Sequence, residues 1–243
     1  MARLLYVCVR PQEGAAAAEH ESFRTGARLK PDELDRIDLV RTRLPRDAIG
    51  RWDAFVVGGS PFNVTDPEST KTDAQRAVEA DLERLAGEAI AQRTAALFTC
   101  YGIGIVTRML GGEVSRAFPE DTGPVAVELT ADGERDAIFG TLARRFSALT
   151  AHKEGAGETP PGAVLLATSE GCPVQAYRVG DRLYATQFHP EPTAQAFTER
   201  MAVYRDDGYF DSGDYDAIAA RVLAASITEP TRILRGFARL LAA

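Results

Sequence analysis

Ala95-Ala96-Leu97-Phe98-Thr99-Cys100-Tyr101-Gly102-Ile103-Gly104 is the stretch that decides the fold. Its apolar start reads as a short buried strand that runs into a cysteine, and two glycines then let the backbone turn sharply into an apolar helix from Ile105 to Leu110. That is the outline of a nucleophile elbow, in which the side chain at the turn is pushed out at the carboxyl end of a sheet strand. A thiol there gains twice. The positive end of the following helix favours thiolate over thiol, and the first backbone N–H groups can hold an oxyanion.

Upstream of the elbow, Gln75 to Gln92 carries Val78, Leu82, Leu85 and Ala89 on one face, which predicts a helix with Asp73 as its N-cap. Before it, Asp53 to Val57 reads as a strand ending on Gly58-Gly59-Ser60-Pro61, with a polar loop from Asn63 to Thr72 between. Strand, helix and strand make a right-handed crossover, so Gly58-Gly59 and Cys100 reach the same rim of a parallel sheet. Two glycines at a strand end expose N–H groups without side-chain cover, although alone such a pair is ordinary turn chemistry. Leu4 to Val9 reads as the first strand, Pro11 to Asp35 as a helix or mobile insertion, and Ile37 to Val40 as a second strand.

Downstream, Gly111-Gly112 closes the elbow helix. Gly123 to Leu129 alternates like a half-exposed antiparallel strand, and Asp136 to Leu142 suggests a short helix. Phe146 to His152, Val164 to Ala167, Pro173 to Val179 and Arg182 to Phe188 read as strands, the last two joined by a hairpin signal at Gly180-Asp181. From about residue 193 the tail turns helical, ending in a stripe of Ile233, Leu234, Phe237, Leu240 and Leu241 behind Thr228 and Pro230. The reading is one α/β domain over residues 1–243 with a C-terminal helical extension.

The chain has 243 residues, 45% of them hydrophobic, and no Pro/Gly/Ser-rich linker, which suits one large core. A net charge of -7 leaves no basic field for a phosphate backbone, so no nucleic acid partner is expected. No apolar run approaches the roughly 20 residues that span a bilayer, and the opening run is too short for a signal-peptide core. The expectation is a cytoplasmic protein with no membrane association. Cys8, Cys100 and Cys172 form neither a disulfide framework nor a C-x-x-C metal pattern. Cys8 reads as a core residue and Cys172 as part of a turn before a strand.

A reactive cysteine needs a base, and histidine titrates nearest the working pH. His20 falls in a polar stretch and reads as a solvated surface residue. His152 and His189 both end strands. His189 has the better claim, because Glu191 two residues on can point the same way and hold the imidazole, with Pro190 stiffening the link. The alternative is a structural His-Glu pair, which the elbow and the glycine pair make the weaker reading. One cysteine with one histidine falls short of a metal ligand set, so no metal is expected. Tyr204, Tyr209, Phe210 and Tyr215 cluster among aspartates and read as surface packing, with a cover over part of the site or a partner surface as the alternatives.

Gly58-Gly59-Ser60, Thr99-Cys100-Tyr101-Gly102 and Gln187-Phe188-His189-Pro190-Glu191, in this order and at these separations, resemble the class I glutamine amidotransferase domain, most closely the stand-alone relatives of the GMP synthase glutaminase domain. The resemblance covers roughly Leu4 to Glu191. It implies a flavodoxin-like, three-layer α/β fold: an open, mostly parallel mixed sheet with helices on both faces. It further implies Cys100 as nucleophile, His189 as general base and acid, Glu191 as its orienter, the N–H groups of Gly59 and Tyr101 as oxyanion hole beside Gly58, and a supporting place for His152 in the glutamine site. Two positions depart from the family. Phe98 stands where a small glycine is usual, and Ile103-Gly104 where a His-Gln pair is usual, so Gly104 lacks an amide that helps hold the substrate's amino-acid end.

Nothing after Glu191 is long enough for a synthetase domain, and there is no Walker-type loop. The leading expectation is a stand-alone glutaminase-type amidotransferase that needs no cofactor. It would hydrolyse glutamine through a cysteinyl thioester and deliver ammonia to a separate synthetase partner. The alternatives are a γ-glutamyl conjugate hydrolase without ammonia transfer and a catalytically silent binding scaffold.

Overall fold

The computed structural model describes residues 3–206 and 208–241. The chain runs β1 (Leu4–Cys8), α1 (Glu13–Gly26), β2 (Leu34–Asp38), α2 (Ala48–Arg51), β3 (Ala54–Val57), α3 (Asp73–Ile90), β4 (Ala95–Thr99) and α4 (Tyr101–Met109). It continues through β5 (Glu120–Leu129), α5 (Ala131–Arg135), β6 (Arg145–His152), β7 (Val164–Ser169), β8 (Ala176–Val179), β9 (Leu183–Thr186), α6 (Ala194–Val203), α7 (Tyr215–Ala224) and α8 (Thr231–Leu240).

The strands form one sheet of nine in the order β2-β1-β3-β4-β9-β8-β7-β5-β6. Neighbours from β2 to β9 pair in parallel and those from β9 to β6 antiparallel, so only β8 and β5 run against the rest. The central strands β1, β3, β4 and β9 are buried at every position, as strands covered on both faces must be. The edge strand β2 buries only Leu34 and carries Asp35, Arg36 and Asp38, which keeps its open edge from pairing with another chain.

Side-chain alternation sorts the core into two layers. Leu5, Val7, Phe55, Val57, Ala96 and Phe98 pack under α3 and α4, against Val78, Leu82, Leu85, Ile105 and Val106. Leu4, Tyr6, Val56 and Leu97 face the other way, towards Ala16 and Phe23 of α1 and Ile233, Leu234 and Phe237 of α8. A smaller cluster joins α6 and α7 to Leu149 of β6. This is the three-layer mixed α/β fold the sequence implied. No helix among the described residues is long and apolar enough to cross a membrane.

Several local details differ from expectation, each for a traceable reason. Pro11 to Asp35 holds α1 and the start of β2, and β2 begins at Leu34 because it pairs in register with Leu4 of β1. Its carboxyl end is set by Asp38, whose Oδ1 accepts from the Val40 N–H at 3.1 Å and opens a turn. The cap of α3 is Thr72, whose Oγ1 accepts from the Gln75 N–H at 3.1 Å, and Asp73 is the first helical residue. The short helix expected at Asp136 to Leu142 is only a 3-10 turn at Phe139–Thr141, and α5 lies before that range. Thr130 caps α5, accepting from Gly133 at 3.0 Å, while Asp136 accepts from Ile138 and Phe139 and starts the 3-10 turn. The hairpin at Gly180 holds, with φ of 56° there and the Asp181 N–H donating to Gln92.

Candidate active site

The parallel half of the sheet sets the site, because β1, β3, β4 and β9 are neighbours and all end on one rim. β4 delivers Cys100, β3 delivers Gly58 and Gly59, β9 delivers His189, and β1 delivers Arg10. Cys100 has φ 50° and ψ -104°, a left-handed conformation rare for a residue with a side chain, and α4 starts on the next residue. Its N–H donates to Thr186 O of β9 at 2.8 Å, which pins the turn. Gly102 sits at a close approach, since a Cβ there would lie 3.0 Å from the Cβ of Phe98. Phe98, which stands where the family has a glycine, packs in the core against Gly102 and lines neither cavity at the rim.

His189 is held from both sides. Its backbone N–H donates to Leu149 O at 2.9 Å, and its Nδ1–H donates to Glu191 Oε1 at 3.0 Å. Its other flank meets Cys100. A Cβ on Gly59 would lie 2.7 Å from His189 Cε1 and 3.4 Å from Cys100 Cβ, so only glycine leaves room for both side chains. Burial by itself would lower the imidazole pKa. The charge of Glu191 and then that of Cys100, with hydrogen bonds to each, overturn this and raise it to about 9. Burial likewise opposes charge on Glu191, and the neighbouring His189 and Arg200 outweigh it and hold the carboxyl below the usual range.

Behind this pair lies a buried network that local sequence patterns do not show. Arg200 Nη1 donates to Glu191 Oε1 at 2.8 Å and to Glu19 Oε1 at 2.7 Å. Arg10 Nη2 donates to the same Glu19 oxygen at 2.7 Å, and the Tyr6 hydroxyl donates to Glu19 Oε2 at 2.6 Å. Arg10 Nη1 in turn donates to the Tyr204 hydroxyl at 3.0 Å. Two guanidinium groups thus face two carboxylates in the protein interior. Gly58 belongs here, because a Cβ on it would collide with the Glu19 carboxylate. The Gly59 N–H, expected at the oxyanion position, donates to Glu19 Oε1 at 3.3 Å, because the buried carboxylate draws it. The Tyr101 N–H lies in the first turn of α4, where a helix has no internal acceptor for it.

Glu19, His189 and Glu191 are the group of ligand-type side chains that lies close enough to hold a metal ion among the described residues. Arg10 and Arg200 already supply the positive charge there, so the donor set does not fit a cation.

Two cavities open on either side of Cys100, of about 420 and 410 Å³ with their mouths included. The first is polar, with Asn63, Gly104, His152, Glu154 and Gln187 on its walls. The second is walled by Phe197, Met201, Tyr204, Tyr209 and Phe210, and His189 lines it but not the first. Tyr204, Tyr209 and Phe210 therefore line the cavity, the alternative to the surface packing expected of them. His152 is fixed by Glu154 O at 2.8 Å and Glu120 Oε2 at 2.9 Å, which leaves it a wall of the polar cavity. His20 is half-buried rather than solvated, stacked on Tyr6 and bonded to Leu34 O. Cys8 and Cys172 are buried, and burial pushes the Cys172 thiol up to about 12.

Gly104, the family's missing amide, has its neighbourhood filled. A Cβ there would lie 3.0 Å from Val64 Cγ2 and 3.7 Å from Glu154 Oε1. Glu154 accepts from the Val64 N–H at 2.8 Å and from the Thr65 N–H and hydroxyl at 3.0 and 2.7 Å, and burial raises its pKa. A carboxylate from the end of β6 thus stands where a longer side chain on α4 would reach, and no local pattern in the sequence marks it.

The class I glutamine amidotransferase family model matches residues 37–203. Gamma-glutamyl peptidase 3 of Arabidopsis thaliana is 29% identical over 165 residues, covering 66% of this chain and 63% of that protein. A glutamine-hydrolyzing GMP synthase subunit from Thermococcus kodakarensis is 35% identical over 109 residues, covering 44% of this chain and 55% of that protein. The chain therefore spans less than two thirds of the length of these curated relatives. A glutamine amidotransferase from Thermotoga maritima has the same fold, with a TM-score of 0.76 at 18% identity over 99% of this chain and 97% of that one. With the match running through the elbow, β9 and α6, this chain belongs to the class I glutamine amidotransferase family.

Proposed function

We propose that the protein hydrolyses the amide of a γ-glutamyl compound through a thioester on Cys100. The observation that carries this is the convergence of Cys100, His189 and Glu191 at adjacent strand ends, with His189 between a carboxylate and the thiol. Cys100 Sγ attacks the γ-carbonyl carbon, and the oxyanion forms against the Tyr101 N–H and the first turn of α4. Gly59, without a side chain, lets the carbonyl approach. His189 passes a proton to the nitrogen as the C–N bond breaks and the amine leaves. It then takes a proton from water, which attacks the thioester and frees glutamate and Cys100. Glu191 holds the ring in register throughout, and the polar cavity takes the amino-acid end of the substrate.

Delivery of ammonia to a separate synthetase is the reading that the GMP synthase relatives favour. The conjugate-hydrolase reading draws on the peptidase relative and on the second, apolar cavity. Either predicts glutamate release from a γ-glutamyl amide and a covalent adduct on Cys100 with a glutamine-like diazoketone, seen by mass spectrometry of the digested protein. Absence of both from the purified chain would refute the reading.

The pH profile gives a second check. Raised to about 9, His189 stays protonated through the neutral range, and the acid needed by the departing amine is lost only above that value. The alkaline limb of kcat/KM is therefore expected near pH 9. In Glu191→Gln the largest force raising the imidazole is gone, so the limb is expected to move at least one unit lower. An unmoved limb would mean that Glu191 does not tune His189.

A further inference from the structure

The two cavities share Ser60, Cys100, Ala151 and Tyr209 and differ in the rest of their lining, and this assigns their roles. A leaving nitrogen must lie within hydrogen-bond reach of the group that protonates it. His189 lines the second cavity and not the first, so the nitrogen and whatever it carries lie on the second side. The acyl half then falls in the polar cavity, beside Asn63, His152 and Glu154.

Ammonia has no surface to set against an aromatic wall. The second cavity nonetheless presents Phe197, Met201, Tyr204, Tyr209 and Phe210, drawn from α6 and the segment after it. Tyr204 and Tyr209 meet edge to face, with ring centroids 6.0 Å apart, and Phe197 packs 6.2 Å from the His189 ring. Such a wall gains by covering hydrocarbon. The charged residues that line the cavity are Arg10, Arg200 and the protonated His189, all cationic, and the engaged arginine nitrogens donate to Glu19, Glu191 and Tyr204. A second positive charge on the leaving amine would meet these two guanidinium groups in a poorly solvated space.

We propose that the second cavity is a leaving-group site, and that the substrate is a γ-glutamyl amide of a primary amine bearing an aliphatic or aromatic group with no second positive charge. This rests on the reading of Cys100 as nucleophile and His189 as acid. The bonds made and broken are those of that reaction, with the free amine as the first product.

The test compares kcat/KM of the whole chain for four substrates: γ-glutamyl benzylamide, γ-glutamyl n-pentylamide, γ-glutamyl 4-aminobutylamide and glutamine. The pentyl and aminobutyl compounds match in length and differ in the terminal ammonium. The benzyl and pentyl amides are expected to exceed both glutamine and the aminobutyl compound by at least about tenfold. Phe210→Asp, a partly buried wall position, is expected to reduce the benzylamide-to-glutamine ratio at least about fivefold. Glutamine turnover with Cys100 alkylated by the diazoketone, but with glutamine equal to or better than the apolar amides, overturns the leaving-group site and leaves the thioester reading standing. An aminobutyl compound cleaved as well as the pentyl one overturns the charge selection. No turnover of any of the four with Cys100 unmodified overturns both readings together.

Discussion

Cys100→Ser is expected to lower kcat/KM for γ-glutamyl amides by about 10⁴- to 10⁶-fold, the scale on which loss of a nucleophile disables a coupled triad. The substitution changes one atom and keeps the turn, since serine meets the same restriction at φ 50° and fits the same nearly buried space. What it removes is the ease of charging the nucleophile. A hydroxyl holds its proton far more tightly than a thiol, so the attack on the carbonyl has a much harder proton to lose. Thermal unfolding should be nearly unchanged, which separates a chemical effect from a folding one. A serine variant within tenfold of the parent rate would remove Cys100 from the reaction.

Arg200→Met is expected to cost about 3–5 kcal/mol of stability, because it strips one cation from between two buried carboxylates. Glu19 and Glu191 have almost no exposed surface, and Arg200 Nη1 is the atom that bridges them. Arg10 remains for Glu19 and His189 for Glu191, so the expected outcome is a weakened fold rather than none. For a domain of this size the cost corresponds to a fall in the unfolding midpoint of about 10 °C. Arg200→Lys keeps the charge and should recover part of it. Arg76→Met, which removes an exposed arginine paired with Glu68 and Asp73, should change stability by less than about 0.5 kcal/mol. An Arg200→Met midpoint as little affected as that of Arg76→Met would show that the buried network does not hold the rim together.

The elbow, the crossover from β3 to β4 and the His189-Glu191 pair were legible because each is written locally. Apolar runs, a helical stripe, paired glycines and a two-residue spacing all act within a few positions of one another. The buried network was not. Glu19 follows an alanine run among His20 and Glu21, a pattern that reads as a wet helix face, and its partner Arg200 is 181 residues away. Burial of a polar group is a tertiary property, visible only once the opposing charges are placed. Glu154 escaped notice for the same reason, and so did the Gly59 N–H, whose direction is decided by Glu19 rather than by its own turn. Helix ends shifted where Thr72 and Asp136 captured backbone N–H groups, a competition between neighbouring polar side chains that composition does not rank.

The 181-residue span from Glu19 to Arg200 also sets an order of events at the ribosome. β1, α1, β3, β4 and the cysteine turn are all synthesised before β9 and α6, so Cys100 precedes His189 and Glu19 precedes Arg200 on the nascent chain. Closure of that long loop is a late step, made when α6 docks beside α1. His189 and Arg200 therefore reach the rim together, in the same final stretch of the chain.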